Sequence, residues 1–385
     1  MRPRDPREVG RGASPLELFF DLVFVVAVSI AAINLHHALS EAHFWDGAIS
    51  YLLVFFTIWW AWMNFTWFAT SFDTDDWLYR VLTVVQMAGV LVLAAGVHSV
   101  FESRDFTVVV IGYVIMRCAM VAQWLRASRG AGDARRAALI YAWGVAGVQV
   151  LWVAWILLPP SPATTLVQLA LFGIELGIPV LAEKRGNTPW HPRHITERYG
   201  LFTLIVLGES LLASANAIIE AREETESFTE LIPLGVLTLV VTAGMFWIYF
   251  WPPHHEAIGG LRQTFRYGYG HYVVFAAAGA FSAGIEVEID LLTGHSDISE
   301  VAASLCVTVP VSVFILSAWL IAIRQHANRV VNVAMPIGAL LVLIDPIIPV
   351  PITLTTLVII AIVVVLVLNP PRDRDESSDT EALTS

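Results

Sequence analysis

Charge is scarce in this chain. Only 14% of its 385 residues are Asp, Glu, Lys or Arg, against about 25% in an ordinary soluble domain. Lysine occurs once, at Lys184. With 22 basic and 33 acidic residues the net charge is −11, the wrong sign for the basic footprint that nucleic acid requires. Cysteine is nearly absent: Cys118 and Cys306 lie in apolar stretches, form no CxxC and build no disulfide framework. No GxSxG, HExxH or Walker pattern occurs, so no cofactor and no resident metal are indicated.

Apolar residues fill the space that charge leaves. The hydrophobic share is 57% and the mean hydropathy is +0.68. A disordered chain needs the opposite composition, and a soluble globule could not cover so much apolar surface with so few charges. The remaining class is an all-α polytopic membrane protein surrounded by the lipid bilayer. Twelve apolar segments reach the roughly 18–25 residues that a transmembrane helix needs. They lie near 16–38, 48–69, 78–99, 106–126, 137–158, 164–182, 195–217, 230–251, 269–290, 299–323, 330–346 and 350–368. The last two are separated by almost no loop, because Asp345-Pro346 and Pro349-Val350-Pro351 crowd the junction; two short spans or a re-entrant pair both fit. Arg2, Arg4, Arg7 and Arg11 before an apolar run resemble a signal peptide. The run is too long for one, however, and carries Glu17 and Asp21.

The basic residues orient the spans. With the N-terminus inside, nineteen of the 22 fall on the cytoplasmic side, Arg104 and Arg222 fall outside, and Arg117 lies within the fourth span. The positive-inside rule therefore places both termini in the cytoplasm. The organisation expected is a cytoplasmic tail over 1–15, a membrane domain over 16–368 and a polar, acidic, disordered tail over 369–385. Spans one to six and seven to twelve share features. Spans two and eight end in aromatic clusters, and spans three and nine run from Tyr/Arg into Ala-Gly pairs. Two parallel six-helix halves, 16–182 and 195–368, would explain this; aromatic belts and small-residue packing common to any bundle are the alternative.

An ionisable residue at the centre of a span costs about 2.5–3.5 kcal/mol on insertion scales. Arg117, Glu175 and Glu209 lie near the middle of spans four, six and seven. Two acids and one base cannot pair off completely. Arg117 is expected to pair with one carboxylate, leaving the other to exchange a proton or accept a cation. A structural ion pair beside a protonated glutamic acid is the plainer reading. At the cytoplasmic mouth Glu17 and Asp21 share one helix face at i and i+4, where like charges repel. Arg80 and Arg198 are their candidate partners. The loop Phe72-Asp73-Thr74-Asp75-Asp76 alternates oxygens but lacks the glycine turn and terminal Glu of an EF-hand, so a salt-bridged surface is the expectation there. His194 and Glu197, at i and i+3, are compatible with metal ligation, but no second motif completes a site. Among the uncharged polar residues, Asn64, Gln86, Ser210 and Asn216 are pathway candidates; the others, such as Gln149 and Gln168, read as helix-bridging groups.

Three stretches carry a resemblance. Glu17-Leu18-Phe19-Phe20-Asp21-Leu22-Val23-Phe24 is the first. Trp59-Trp60-Ala61-Trp62-Met63-Asn64-Phe65, followed by Phe72-Asp73-Thr74-Asp75-Asp76, is the second. His194-Ile195-Thr196-Glu197-Arg198-Tyr199-Gly200-Leu201-Phe202, closing in Leu207-Gly208-Glu209-Ser210, is the third. In this order they resemble the bacterial low temperature requirement protein A (LtrA) family over the whole membrane domain. The resemblance implies a polytopic bacterial inner-membrane protein linked to growth in the cold, with no established activity. It implies signature positions at Glu17, Phe20, Asp21, Trp60, Asn64, Asp73, Asp76, His194, Glu197, Arg198, Gly200, Gly208 and Glu209. The first stretch is also similar to the Phe-Ser-Asp helix of a family of small potassium channels, with the serine absent.

The leading expectation is a transporter of a small solute or ion, coupled to protons or a cation. Its pathway would use Asp21, Asn64, Arg117, Glu175 and Glu209, and its cytoplasmic mouth Glu17, Asp73, Asp76, Arg80, His194, Glu197 and Arg198. A homo-oligomer is compatible with it. A channel, a membrane enzyme acting on a lipid or isoprenoid carrier, and a non-catalytic scaffold are the alternatives.

Overall fold

The computed structural model describes residues 1–8, 10–159, 161–224, 228–348 and 352–372, apart from the side chains of 217, 220–224 and 228–230. Among them every regular element is helical. The helices are α1 (Pro15–Ser40), α2 (Phe44–Phe72), α3 (Trp77–Ala95), α4 (Val97–Ser103), α5 (Thr107–Ser128), α6 (Arg135–Trp155), α7 (Pro162–Gly186), α8 (Pro192–Glu224), α9 (Phe228–Phe250), α10 (Leu261–Thr293), α11 (Glu300–Ala318), α12 (Arg329–Val342) and α13 (Thr353–Leu368). Eleven stretches are long and apolar enough to cross a membrane, α3 and α4 forming one of them. The twelfth expected span is the shorter apolar helix α13. The crowded junction before it resolves into two helices, with a 3-10 turn at Asp345–Ile347. Most of the tail expected to be disordered, and the acidic side chains near 220–230, lie outside the described residues.

The helices group into two compact units. The first contains Met1–Ala31 and Ile49–Leu201, the second Ala32–Ala48 and Phe202–Ser385. In the first, α3 packs on α5, α5 on α6 and α6 on α7. Helix α2 runs through its middle. Phe65 stacks on Phe20 of α1 at 3.9 Å, Phe56 meets Phe172 of α7 at 4.1 Å, and Phe68 meets Trp124 of α5 edge-on at 4.8 Å. In the second unit α10 packs on α11, α11 on α12, α12 on α13 and α13 on α9.

Small residues and prolines set two of these contacts. A Cβ on Gly112 of α5 would stand 2.3 Å from the backbone nitrogen of Leu93 on α3, and one on Gly284 of α10 would stand 2.2 Å from the carbonyl of Cys306 on α11. Both helix pairs therefore touch backbone to backbone, the close approach that glycine permits. Pro310 contributes to the second contact, since it has no N–H to offer the carbonyl of Cys306 four residues earlier. Pro179 in α7 does the same to the carbonyl of Glu175.

Helix starts are capped by short polar side chains. Ser14 and Glu17 form a capping box on α1: the Ser14 amide donates to Glu17 Oε2 at 2.8 Å and the Glu17 amide to Ser14 Oγ at 3.3 Å. Pro15 follows at the first helical position. Asp345 reaches across the last junction and accepts the amides of Leu354 and Thr355, both at 3.1 Å.

The glycine contacts give a direct test. Gly112→Ala and Gly284→Ala are each expected to cost about 1–3 kcal/mol or more through forced separation of their helices. Gly147→Ala, where nothing stands within 4 Å, should be neutral or slightly stabilising. Thermal unfolding of the three variants in detergent measures the difference.

Candidate functional site

The first unit buries two charge clusters, one on each side of α2. Trp60 and Trp62 are two residues apart and so point about 200° apart around the helix. Trp62 Nε1 donates to Asp21 Oδ1 at 2.6 Å, and Trp60 Nε1 donates to Glu175 Oε2 at 2.9 Å.

The cluster at the start of α1 centres on Arg198. Its Nε and Nη2 donate as a fork to Asp21, at 3.0 and 2.5 Å, and its Nη1 donates to Glu17 Oε1 at 2.8 Å. Glu17, Asp21 and Arg198 are all at most 1% exposed. The repulsion expected between Glu17 and Asp21 is thus met by one guanidinium inserted between them, and His194 Nε2 adds a further contact to Glu17 at 3.2 Å. His191 caps α8. Its Nδ1 accepts the His194 amide at 3.2 Å and its Nε2 donates to the Glu8 carbonyl at 3.0 Å, which fixes the proton on Nε2. Residues before α1 close this end. Arg11 donates to the Ala69 and Thr70 carbonyls, at 2.9 and 2.5 Å, placing a cation on the C-terminus of α2.

Arg80, the other expected partner of Glu17 and Asp21, lies elsewhere. It pairs with Asp75 at 2.7 Å in an exposed local contact, because a carboxylate five residues away needs no desolvation of the guanidinium. Asp76 caps α3 by accepting the Leu78 and Tyr79 amides at 3.1 and 3.0 Å, and pairs with Arg126 of α5. That hydrogen bond to Arg126 holds its carboxyl below the usual range. Asp73 is largely buried beside Arg4 at 3.5 Å, and burial raises it. The loop therefore spends its oxygens on caps and arginines. Glu197 is exposed, whereas His194 is buried. Among the described residues no group of three or more His, Cys, Asp or Glu is arranged to hold a metal.

The second cluster centres on Glu175, fully buried on α7. Of its two expected claimants, Glu175 is the carboxylate that takes Arg117, with Nη2 donating to Oε2 at 2.6 Å. Gln149 Nε2 of α6 donates to Oε1 at 3.1 Å. The guanidinium lies 5.5 Å from the centroid of Tyr113. Asn64 turns its amide to the Trp60 carbonyl of its own helix at 2.7 Å. Toward the far end of α7, Phe172 meets Phe56 and Trp152 at 4.1 and 5.4 Å. Beyond this aromatic layer a cavity of about 490 Å³ opens between the ends of α2, α4, α6 and α7, lined in part by Arg104, Phe106, Trp155, Thr164 and Gln168.

Glu209 belongs to the second unit. It is half-buried and makes no hydrogen bond or ion pair among the described residues. That unit holds acids that the sequence reading passed over. His36 faces Asp290 Oδ2 with Nε2 at 2.6 Å and Glu286 Oε2 with Nδ1 at 3.2 Å, and Ser40 Oγ donates to Asp290 at 2.7 Å. Between them Glu288 is 1% exposed, with Oε1 unpartnered among the described residues. Three acids within five residues at the end of an apolar run were the available signal. A second network joins Tyr249, His271, Tyr267 and His254. Tyr249 donates to His271 Nε2 at 2.9 Å, and Tyr267 donates to His254 Nδ1 at 3.0 Å. The other ring nitrogen of each histidine donates to a carbonyl, which places a proton on His254 Nε2 and His271 Nδ1.

Two outcomes follow from this geometry. Arg198→Met should destabilise the protein by about 3–5 kcal/mol, because it leaves two carboxylates buried without a cation; thermal unfolding in detergent reads it. His254 lies between α9 and α10, and burial lowers its pKa to about 4. The unfolded chain, with an ordinary histidine near 6.5, takes up the proton first. Stability should therefore fall as pH drops from about 6.5 to about 4, and His254→Gln should remove part of that slope in unfolding curves recorded across the range.

Residues 12–368 match the family described as bacterial low temperature requirement A protein (LtrA), and the chain belongs to that family. It is also similar to an uncharacterized protein of Rhizobium meliloti (strain 1021), with 28% identity over 289 residues, covering 69% of this chain and 68% of the relative.

Proposed function

We propose that this low temperature requirement A protein is a transporter that couples movement of a small solute to protons or a cation. One observation carries the reading: the first unit contains a file of buried polar groups along α2 and α7. It starts at the cavity beside Gln168, passes Gln149, Glu175 and Arg117, and reaches Asp21, Glu17 and Arg198 on the other side of α2. A bundle needing only stability gains little from this, since apolar residues of similar volume would replace such pairs at no loss. Intramembrane ionisable groups instead mark ion and substrate pathways. Glu175 is the central proton or cation carrier, Asp21 the carrier at the inner cluster, and Glu209 the corresponding group of the second unit.

The distribution of arginines supports a cytoplasmic location for both termini in a bacterial inner membrane. On this reading the cavity faces the outer side and the Arg198 cluster the inner side. Residues 16–182 and 195–368 are read as parallel six-helix halves. In each, the third to sixth spans pack in sequence, and the sixth returns to the second: α7 to α2 through Phe172 and Phe56, and α13 to α9.

Proteoliposomes loaded with a pH-sensitive dye test the coupling. Challenged with pools of organic anions, amines, amino acids and sugars, the wild type should move protons with at least one pool, and Glu175→Gln should lose at least about 90% of that rate. Proton movement at the same rate in both proteins would remove Glu175 from the pathway.

A further inference from the structure

The hydrogen bonds around Glu175 leave a specific remainder. Arg117 is 2% exposed and uses only Nη2; its Nε and Nη1 have no partner among the described residues. The same holds for Trp152 Nε1 and Gln168 Nε2, and on the acceptor side for Gln149 Oε1. All four side chains are at most 5% exposed. A buried donor without an acceptor costs about 1–3 kcal/mol, more when charged. The remainder is donor-rich: an arginine, an indole and a carboxamide against one carbonyl oxygen. It calls for a ligand that brings acceptors.

These groups form a route. Gln168 lines the cavity. Phe172 is four residues below it and Glu175 three further, so all three share one face of α7. From Trp155 on the cavity wall, ring contacts run to Trp152 at 5.6 Å and from there to Tyr113 at 6.1 Å. Tyr113 in turn lies 5.5 Å from the Arg117 guanidinium. Phe56, Trp152 and Phe172 stand as an aromatic layer between the cavity and the charged centre.

We propose that the cavity is the entry to a binding site for a small monocarboxylate with an apolar body, whose carboxylate docks on Arg117 below the aromatic layer. A single guanidinium balances one negative charge, which favours a monoanion over a phosphate or a dicarboxylate. Phe56, Trp152 and Phe172 receive the apolar part. Trp152 Nε1 and Gln168 Nε2 supply donors along the way. Glu175 then sets the stoichiometry. With Glu175 ionised, a second carboxylate would set two anions against the one buried Arg117 guanidinium, so each bound anion arrives with one proton for Glu175. The other groups facing Glu175 are Arg117, Trp60, Gln149 and the Tyr113 phenol, and none of them is a second carboxylate. This inference rests on the coupled-transport reading and names the substrate class of that site.

The test is isothermal titration of the full-length protein in detergent. Benzoate is the probe, benzamide its uncharged isostere and benzylamine its cationic counterpart, each run in buffers of different ionisation enthalpy. Benzoate should bind saturably with uptake of about one proton, and the other two should not bind. Gln168→Leu, on the cavity floor, should weaken benzoate about tenfold or more. Glu175→Gln should bind benzoate at least as tightly as wild type with no proton uptake, a gain that a merely structural role for the pair would not produce. Equal responses to benzoate and benzamide, or weaker benzoate binding by a folded Glu175→Gln protein, overturn the proposal. Proton movement driven by amines or sugars in the vesicle assay would leave the transport reading standing while removing the carboxylate. Benzoate binding without proton uptake would separate the substrate from the coupling and overturn the stoichiometry argued above.

Discussion

Arg198 is the residue on which the first unit depends. Three of its N–H groups hold Asp21 by a fork and Glu17 by a single bond, and Glu17 in turn closes the capping box that starts α1. One guanidinium thus joins the first two turns of α1 to those of α8, and through Trp62 it also joins α2. In a medium that offers no water to an unpaired charge, such an arrangement is all or nothing. Each carboxylate tolerates burial only because the guanidinium is present, and the guanidinium only because it meets them, so the three elements are positioned together or not at all.

The second cluster follows the same constraint with a different balance. At Arg198 the acids outnumber the base, yet every donor of the fork is used. At Arg117 one acid meets one base, and the donors are left over. The first arrangement is closed; the second is open to a further acceptor. Pro179 adds to this contrast, since the helix bond that would have used the Glu175 carbonyl is missing.

The spans were legible because hydropathy over about 20 residues is a strong signal, and the buried ionisable residues were legible because their cost is high wherever they fall. Partners were less so. Sequence spacing says which residues share a helix face but not which helices are neighbours, and that is why Arg80 and Arg198 were equal claimants for Asp21. The local Asp75 settles Arg80; the fold settles Arg198. The Ser14-Pro15-Leu16-Glu17 cap was readable as a capping box with proline at the first helical position, yet a glutamate beside an aspartate drew attention as charge rather than as a cap. Glu286, Glu288 and Asp290 escaped for another reason. An apolar run ending near residue 290 makes them look like interfacial acids, whereas α10 continues to Thr293 and keeps them within the helix, with Glu286 and Glu288 buried.

The placement of Trp60 and Trp62 gives α2 a property of an optical kind. Each indole N–H is bonded to the carboxylate of one cluster, so the absorption and vibrational bands of each ring respond to the charge on its own acid. Two residues of one helix therefore serve as separate reporters, Trp60 for Glu175 and Trp62 for Asp21. The chain has 14 tryptophans, so difference spectra against Trp60→Phe and Trp62→Phe isolate the two signals, and the charge states on the two sides of α2 can be followed by light without altering either carboxylate.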